Sequence, residues 1–139
     1  MEVLVVESAP LVRQLLVELI EESGLPPAFE AADVEEALAL LARRPGVVPA
    51  VLVVGIHPPG ASRAREMAQR LAEGRGPAPA LLHVGPNPAL LGVEALEPRE
   101  RLLVPPFGAS CLACTVLELM GRPAPNWLRP RPAPPSREA

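Results

Sequence analysis

The residues able to do chemistry in this 139-residue chain are few. Cys111-Leu112-Ala113-Cys114 forms a C-x-x-C pair at the start of an apolar stretch with helical spacing. A helix N-terminus lowers a thiol's pKa, so such a pair suits reversible disulfide chemistry or a soft metal. His57 and His83, with the two Cys, would total four zinc-type ligands, although only the Cys pair has ligand spacing. Glu7-Ser8 follows one apolar run, and Gly55-Ile56-His57-Pro58-Pro59-Gly60 follows another. Gly85-Pro86-Asn87-Pro88 is a turn without the glycine spacing of a phosphate loop. The simpler accounts are small-residue packing for the Cys, loop or core positions for the His, and a strand end and helix cap for Glu7 and Ser8. The chain has one Asp, Asp33, and no Lys.

Those groups acquire meaning from the elements that position them. Residues 3–6 form a short β-branched run of the kind found in strands buried on both faces. Residues 11–22 carry Leu11, Val12, Leu15, Leu16, Leu19 and Ile20 at helical spacing, ended by Ser23-Gly24. A weak strand is expected around Phe29, then a helix running from an Asp33 cap to about residue 44, with Glu36 completing a reciprocal cap. Strands at 50–54, 80–84 and 101–104 alternate with helices at 62–73, 90–96 (short) and 109–120. Alternating apolar strands and amphipathic helices predict a parallel α/β sheet with right-handed crossovers and helices on both faces. Five units in about 120 residues suit the flavodoxin-like strand order 2-1-3-4-5, whose sites lie at the carboxyl ends of the strands. Glu7-Ser8, residues 55–60, Val84-Gly85 and Pro105-Pro106 would then share one edge.

Composition sets outer limits. With 49% hydrophobic and 21% charged residues, the chain can build one sizeable core and is too short for two full domains. A net charge of -3 argues against a nucleic-acid-binding face. No apolar run nears the roughly 20 residues needed to span a bilayer, so no membrane role is expected. The opening MEVLVVES lacks the basic start and cleavage site of a signal peptide. Two Cys are too few for a disulfide framework, which makes a cytoplasmic location the expectation. All 13 basic residues are Arg, and this Ala/Leu/Pro-rich, Lys-free composition suggests a GC-rich bacterial genome. Pro123, Pro125, Pro130, Pro132, Pro134 and Pro135 cluster where four Arg face one Glu. A folded domain over 1–121 and a polyproline-like tail over 122–139 are therefore expected, with Trp127 as a candidate interface anchor.

A family resemblance rests on this order. VLVVESAPLVRQLLVELIEESG resembles the opening of a response-regulator receiver domain of the chemotaxis-regulator kind, and EAADVEEALALLARRP resembles its second strand and helix. VLVVGIHPPG is similar to the segment bearing the phosphorylated aspartate, and LLVPPFGASCLACTVLELMGR to the final strand and helix. The resemblance spans roughly residues 2–122. It implies a Mg²⁺ site built from two acidic residues and an acceptor Asp, with a Ser/Thr and a Lys holding the phosphoryl oxygens. At those positions this chain has Glu7 and Ser8 for the acidic pair, Gly55 for the acceptor, Val84 for the Ser/Thr and Pro105 for the Lys. The aromatic switch position reads Leu103, or Leu102 in a neighbouring register. The string GIHPPG also echoes the H-x-x-G of cobalamin-binding modules, but lacks their preceding Asp and follows a different strand.

Glycine carries no nucleophile, and one carboxylate is a poor Mg²⁺ site. The resemblance therefore implies a pseudo-receiver: not an enzyme, with no cofactor or metal, signalling or scaffolding through another protein or through self-association. In the family the last helix often contributes the partner surface, and the corresponding positions here are Ser110, Cys111, Thr115 and Leu117. Glu118 is the one charged side chain between Phe107 and Gly121. The alternative is a thiol redox or metal-binding protein using Cys111 and Cys114.

Overall fold

A computed structural model describes residues 2–25, 28–93 and 95–122. Five strands run β1 (Glu2–Val6), β2 (Phe29–Ala31), β3 (Pro49–Gly55), β4 (Ala80–Val84) and β5 (Glu100–Leu103). Four helices alternate with them: α1 (Pro10–Glu22), α2 (Val34–Arg43), α3 (Ala61–Ala72) and α4 (Ala109–Leu119). All strand pairs are parallel, in the expected order β2-β1-β3-β4-β5.

The period-2 pattern of the central strands explains the layers, because successive side chains leave opposite faces of a strand. Val3, Val5, Val51, Val53, Leu82 and Val84 pack on one face with Leu16, Val17 and Ile20 of α1 and Leu112, Val116 and Leu119 of α4. Leu4, Val6, Leu52, Val54 and Leu81 pack on the other with Ala37 and Leu41 of α2 and Ala64, Met67, Ala68 and Leu71 of α3. Truncating one of the fully buried Leu here, such as Leu52 or Leu82, costs about 2–5 kcal/mol by analogy with other cores.

Of the four helices, only α2 starts with a side-chain cap. Asp33 Oδ1 accepts the Glu36 N–H at 2.8 Å, which forms the Asp33 half of the expected cap of α2. Ser8 does not cap α1; the N-cap is Ala9, and its N–H is held at 3.0 Å by Glu7 Oε1 instead.

The link between β4 and β5 differs from expectation. Where a helix over 90–96 is expected, one 3₁₀ turn forms at Pro88–Leu91. Asn87 Oδ1 accepts from Ala89 N–H at its start, and Gly92, at φ 67°, turns the chain out of helical geometry at its end. Leu90 and Val93 are exposed, so the stretch has no continuous apolar stripe with which to extend a helix.

Candidate functional site

Parallel register brings the chemistry-bearing loops together. Val6 pairs with Val54 and Gly55 with Val84, so Glu7, Gly55 and Val84 leave adjacent strands side by side at the carboxyl edge. The ladder continues into the loops: Glu7 N–H donates to Ala31, Ile56 N–H to Val84, and Gly85 N–H to Leu103. Glu7, Gly55 and Val84 are buried, whereas Ser8 and Pro105 are exposed.

Glu7 is the centre of this edge. Its side chain is 5% exposed, and His57 Nε2 lies 3.0 Å from Oε1 and 3.3 Å from Oε2. Oε1 also takes the Ala9 N–H, and Ser8 Oγ is 3.5 Å away. Arg13 Nη1 donates to the Glu7 carbonyl at 2.8 Å while its Nε reaches Glu30 at 3.3 Å. Because an ionised carboxylate only accepts, the facing ring nitrogen, Nε2, is the one that carries hydrogen.

The Glu7 side chain occupies the space in front of Gly55. A Cβ built on Gly55 would collide with Glu7 Oε2, and would lie 3.2 Å from His57 Nε2. Any larger residue at that position requires the Glu7–His57 pair to move. Gly60, five residues on, is also closely approached: a Cβ there would strike the backbone carbonyls of Leu90 and Leu91, and its φ of 98° is in the left-handed region. The 3₁₀ turn thus closes directly over the loop that carries His57.

A second polar cluster lies across β4, β5 and α3. Arg65 of α3 grips the Glu100 carboxylate with two bonds, Nε to Oε1 at 2.5 Å and Nη2 to Oε2 at 3.0 Å. His83, 1% exposed, has Nε2 3.4 Å from Glu100 Oε2 yet no aligned hydrogen-bond partner among the described residues. Burial holds His83 below the ordinary histidine value, and the Glu100 charge offsets this only in part. Burial alone would raise Glu100, but the bond and charge from Arg65 outweigh it and set the carboxyl below its usual value. This bidentate pair is a structural clamp between α3 and the edge strand.

The remaining sequence candidates fall elsewhere. Ser110 is exposed, and Cys111 and Thr115 are half-buried, with Thr115 Oγ1 donating to the Cys111 carbonyl at 2.9 Å. Leu117 is a correction to the expected outer face of the last helix: it is 9% exposed and packs with Ala113 and Cys114 against Leu25. The chain leaving α1 covers that stripe, which accounts for its apolar sequence. Cys111 and Cys114 are free thiols on α4, the second of them buried. Trp127 and the residues beyond 122 lie outside the described residues. Among the described residues, no three His, Cys, Asp or Glu side chains are grouped to hold a metal ion. No helix there is long and apolar enough to cross a membrane.

Two features went unread in the sequence. The Glu7–His57 pair joins residues 50 apart, and the strand order 2-1-3 was its available signal, since it makes β1 and β3 neighbours. Leu11, Val12 and Leu15 of α1 are 81%, 44% and 55% exposed, an apolar patch beside the same edge. Residues 11–20 carry two apolar stripes, and only the one through Leu16, Val17 and Ile20 meets the sheet.

Comparisons with known proteins agree on the architecture. A response regulator receiver protein from Burkholderia phymatum superposes with a TM-score of 0.62 at 23% identity, covering 88% of this chain and 97% of that one. A putative response regulator from Chloroflexus aurantiacus gives 0.61 at 22% identity over 87% of this chain and 98% of its own. The receiver domain of the hybrid histidine kinase CckA gives 0.57 at 24% identity, covering 86% and 99%. In sequence, a protein-glutamate methylesterase/protein-glutamine glutaminase from Hahella chejuensis is 44% identical over 59 residues, which span 42% of this chain and 16% of that enzyme. No protein-family model matches the chain. The chain has the response-regulator receiver domain fold.

Proposed function

We propose that this chain is a receiver-fold signalling module that accepts no phosphoryl group on a carboxylate and acts by contact with another protein. One observation carries the reading. The acceptor position is Gly55, and the space in front of it is filled by the carboxylate of Glu7, itself committed to His57 and Ala9. Ser8, Val84 and Pro105 at the other site positions supply no second carboxylate, no phosphoryl-binding hydroxyl at the fourth strand and no ammonium. Without paired carboxylates, octahedral Mg²⁺ has too few charged oxygen ligands.

Contact surfaces are the other half of the reading. The α1 patch of Leu11, Val12 and Leu15 is apolar and open, and it adjoins the altered edge. Ser110, Cys111 and Thr115 on α4, and a tail over 122–139 anchored by Trp127, complete the proposed partner surface. The test is incubation with acetyl phosphate and Mg²⁺, and separately with beryllofluoride and Mg²⁺. The expected result is no alkali-labile acyl phosphate and no beryllofluoride-induced change in the spectrum of backbone amides. An acyl phosphate on any carboxylate overturns the reading.

A further inference from the structure

We propose that the segment 123–129, through Trp127 and Leu128, docks on the exposed stripe of α1 in the same chain. The inference rests on the contact-surface half of the preceding reading and is independent of its phosphoryl half. Among the described residues, α1 is the only one of the four helices with large apolar side chains exposed, namely Leu11, Val12 and Leu15. Residues three and four apart share a helix face, so Leu11, Leu15, Glu18 and Glu22, all exposed, form one stripe. That stripe is apolar at its start and acidic at its end. Glu21 beside it is also exposed, and neither Glu21 nor Glu22 has an ion pair among the described residues.

The segment starts on the side of the fold where α1 ends. Gly121, at φ 74°, turns the chain out of α4, and Arg122 N–H donates to the Leu117 carbonyl at 2.9 Å. Leu117 in turn packs against Leu25, three residues past the end of α1. Reach then decides which residues meet. At the polyproline rise of about 3.1 Å per residue, Pro123 and Pro125 carry Trp127 about 16 Å from Arg122. At about 1.5 Å per residue, Leu15 lies about 10 Å and Leu11 about 16 Å back along α1 from Glu22. Trp127 and Leu128 thus come level with Leu15 and Leu11.

Charge runs in the same order. Arg122 opens a stretch with four Arg and one Glu, and it sets out from the end of α1 where Glu18, Glu21 and Glu22 face solvent. Tryptophan, next along the segment, is a frequent anchor of interfaces. The short connection supplies the rest. Only four residues separate Arg122 from Trp127, which gives an effective concentration on the order of 1 mM. At that value a contact with a Kd as weak as about 0.5 mM holds about two chains in three closed. A protein that binds the α1 face must displace this segment.

Trp127 is the only Trp and the chain has no Tyr, so its fluorescence reports the contact directly. The full chain is compared with a peptide of residues 122–139 by acrylamide quenching. The quenching constant should be at least about twofold lower in the full chain, and equal at about 1 and about 100 μM protein. In Leu15→Arg it should return to the peptide's value with unchanged far-UV circular dichroism. Backbone-amide spectra of the full chain and of Trp127→Ala should differ chiefly over residues 11–22, a readout that decides the matter even where Leu15→Arg does not fold. A Trp127 as accessible as in the peptide, protection that survives Leu15→Arg, or amide changes centred on another element overturns the proposal. Protection that grows with concentration as a dimer forms assigns the segment to a second copy, and overturns it too. An acyl phosphate on the chain would overturn the phosphoryl half of the preceding reading and leave this proposal standing.

Discussion

Replacing Gly55 with Ala tests whether Glu7 fills the space in front of that glycine, because the cost must then depend on what stands at position 7. Gly55 ends β3 with no positive φ, so its backbone suits alanine. By itself, Gly→Ala in such a strand position favours the folded state by about 0.5–1 kcal/mol. Against that stands the collision of the new Cβ with Glu7 Oε2. Forcing an extra methyl into a packed site costs about 1–3 kcal/mol, and displacing a buried carboxylate from its donors costs about 1–3 kcal/mol more. Gly55→Ala should therefore destabilise by about 1–5 kcal/mol net. In a Glu7→Ala background the obstacle is gone, and the same substitution should be neutral or stabilising by up to about 1 kcal/mol. The coupling in this double-mutant cycle should be about 2 kcal/mol or more, read from urea unfolding followed by circular dichroism. A coupling within about 0.5 kcal/mol of zero would mean that Glu7 does not occupy that space, and the argument from sterics would fail.

Three further outcomes are expected. His83 has its pKa depressed in the folded state, so as pH falls through the ordinary histidine value of 6.5 the unfolded chain takes up a proton that the folded chain refuses. Stability should decline below pH 6.5, and His83→Leu should flatten that part of the profile in thermal unfolding. Glu100, also depressed, adds a later loss as pH falls below its ordinary value of 4.5 towards its folded value, and this second decline should survive in His83→Leu. Arg at Leu117 should destabilise by about 3 kcal/mol or more because it buries a charge, whereas Leu11→Arg on the open face of α1 should stay within about 0.5 kcal/mol of the parent. Equal costs would refute the assignment of buried and open faces. Diethyl pyrocarbonate should modify one of the two histidines in the native protein and both after denaturation, counted by mass. Two modified in the native state would show His83 to be accessible.

Much of the architecture was legible in the residues themselves. The runs at 3–6, 50–54 and 80–84 read as buried strands, and their alternation with amphipathic stretches led to the order found. The residue types at the carboxyl edge of the sheet were equally plain, since Gly55 and Pro105 carry no carboxyl or amine in any fold. Less legible was the 90–96 segment, where short apolar spacing resembled a helix but Pro88 and Gly92 confined it to one 3₁₀ turn.

Amino-acid order by itself determined most of the elements, their parallel arrangement and the absence of a carboxyl group at position 55, because these follow from local periodicity and from which atoms a side chain contains. Tertiary packing alone decided that Leu11, Val12 and Leu15 face outward, that Leu117 lies against Leu25, and that Glu7 reaches His57 from another strand. Periodicity specifies that a helix has an apolar face, not which of two stripes meets the sheet. A contact between residues 50 apart exists only once the parallel register has set two strand ends side by side.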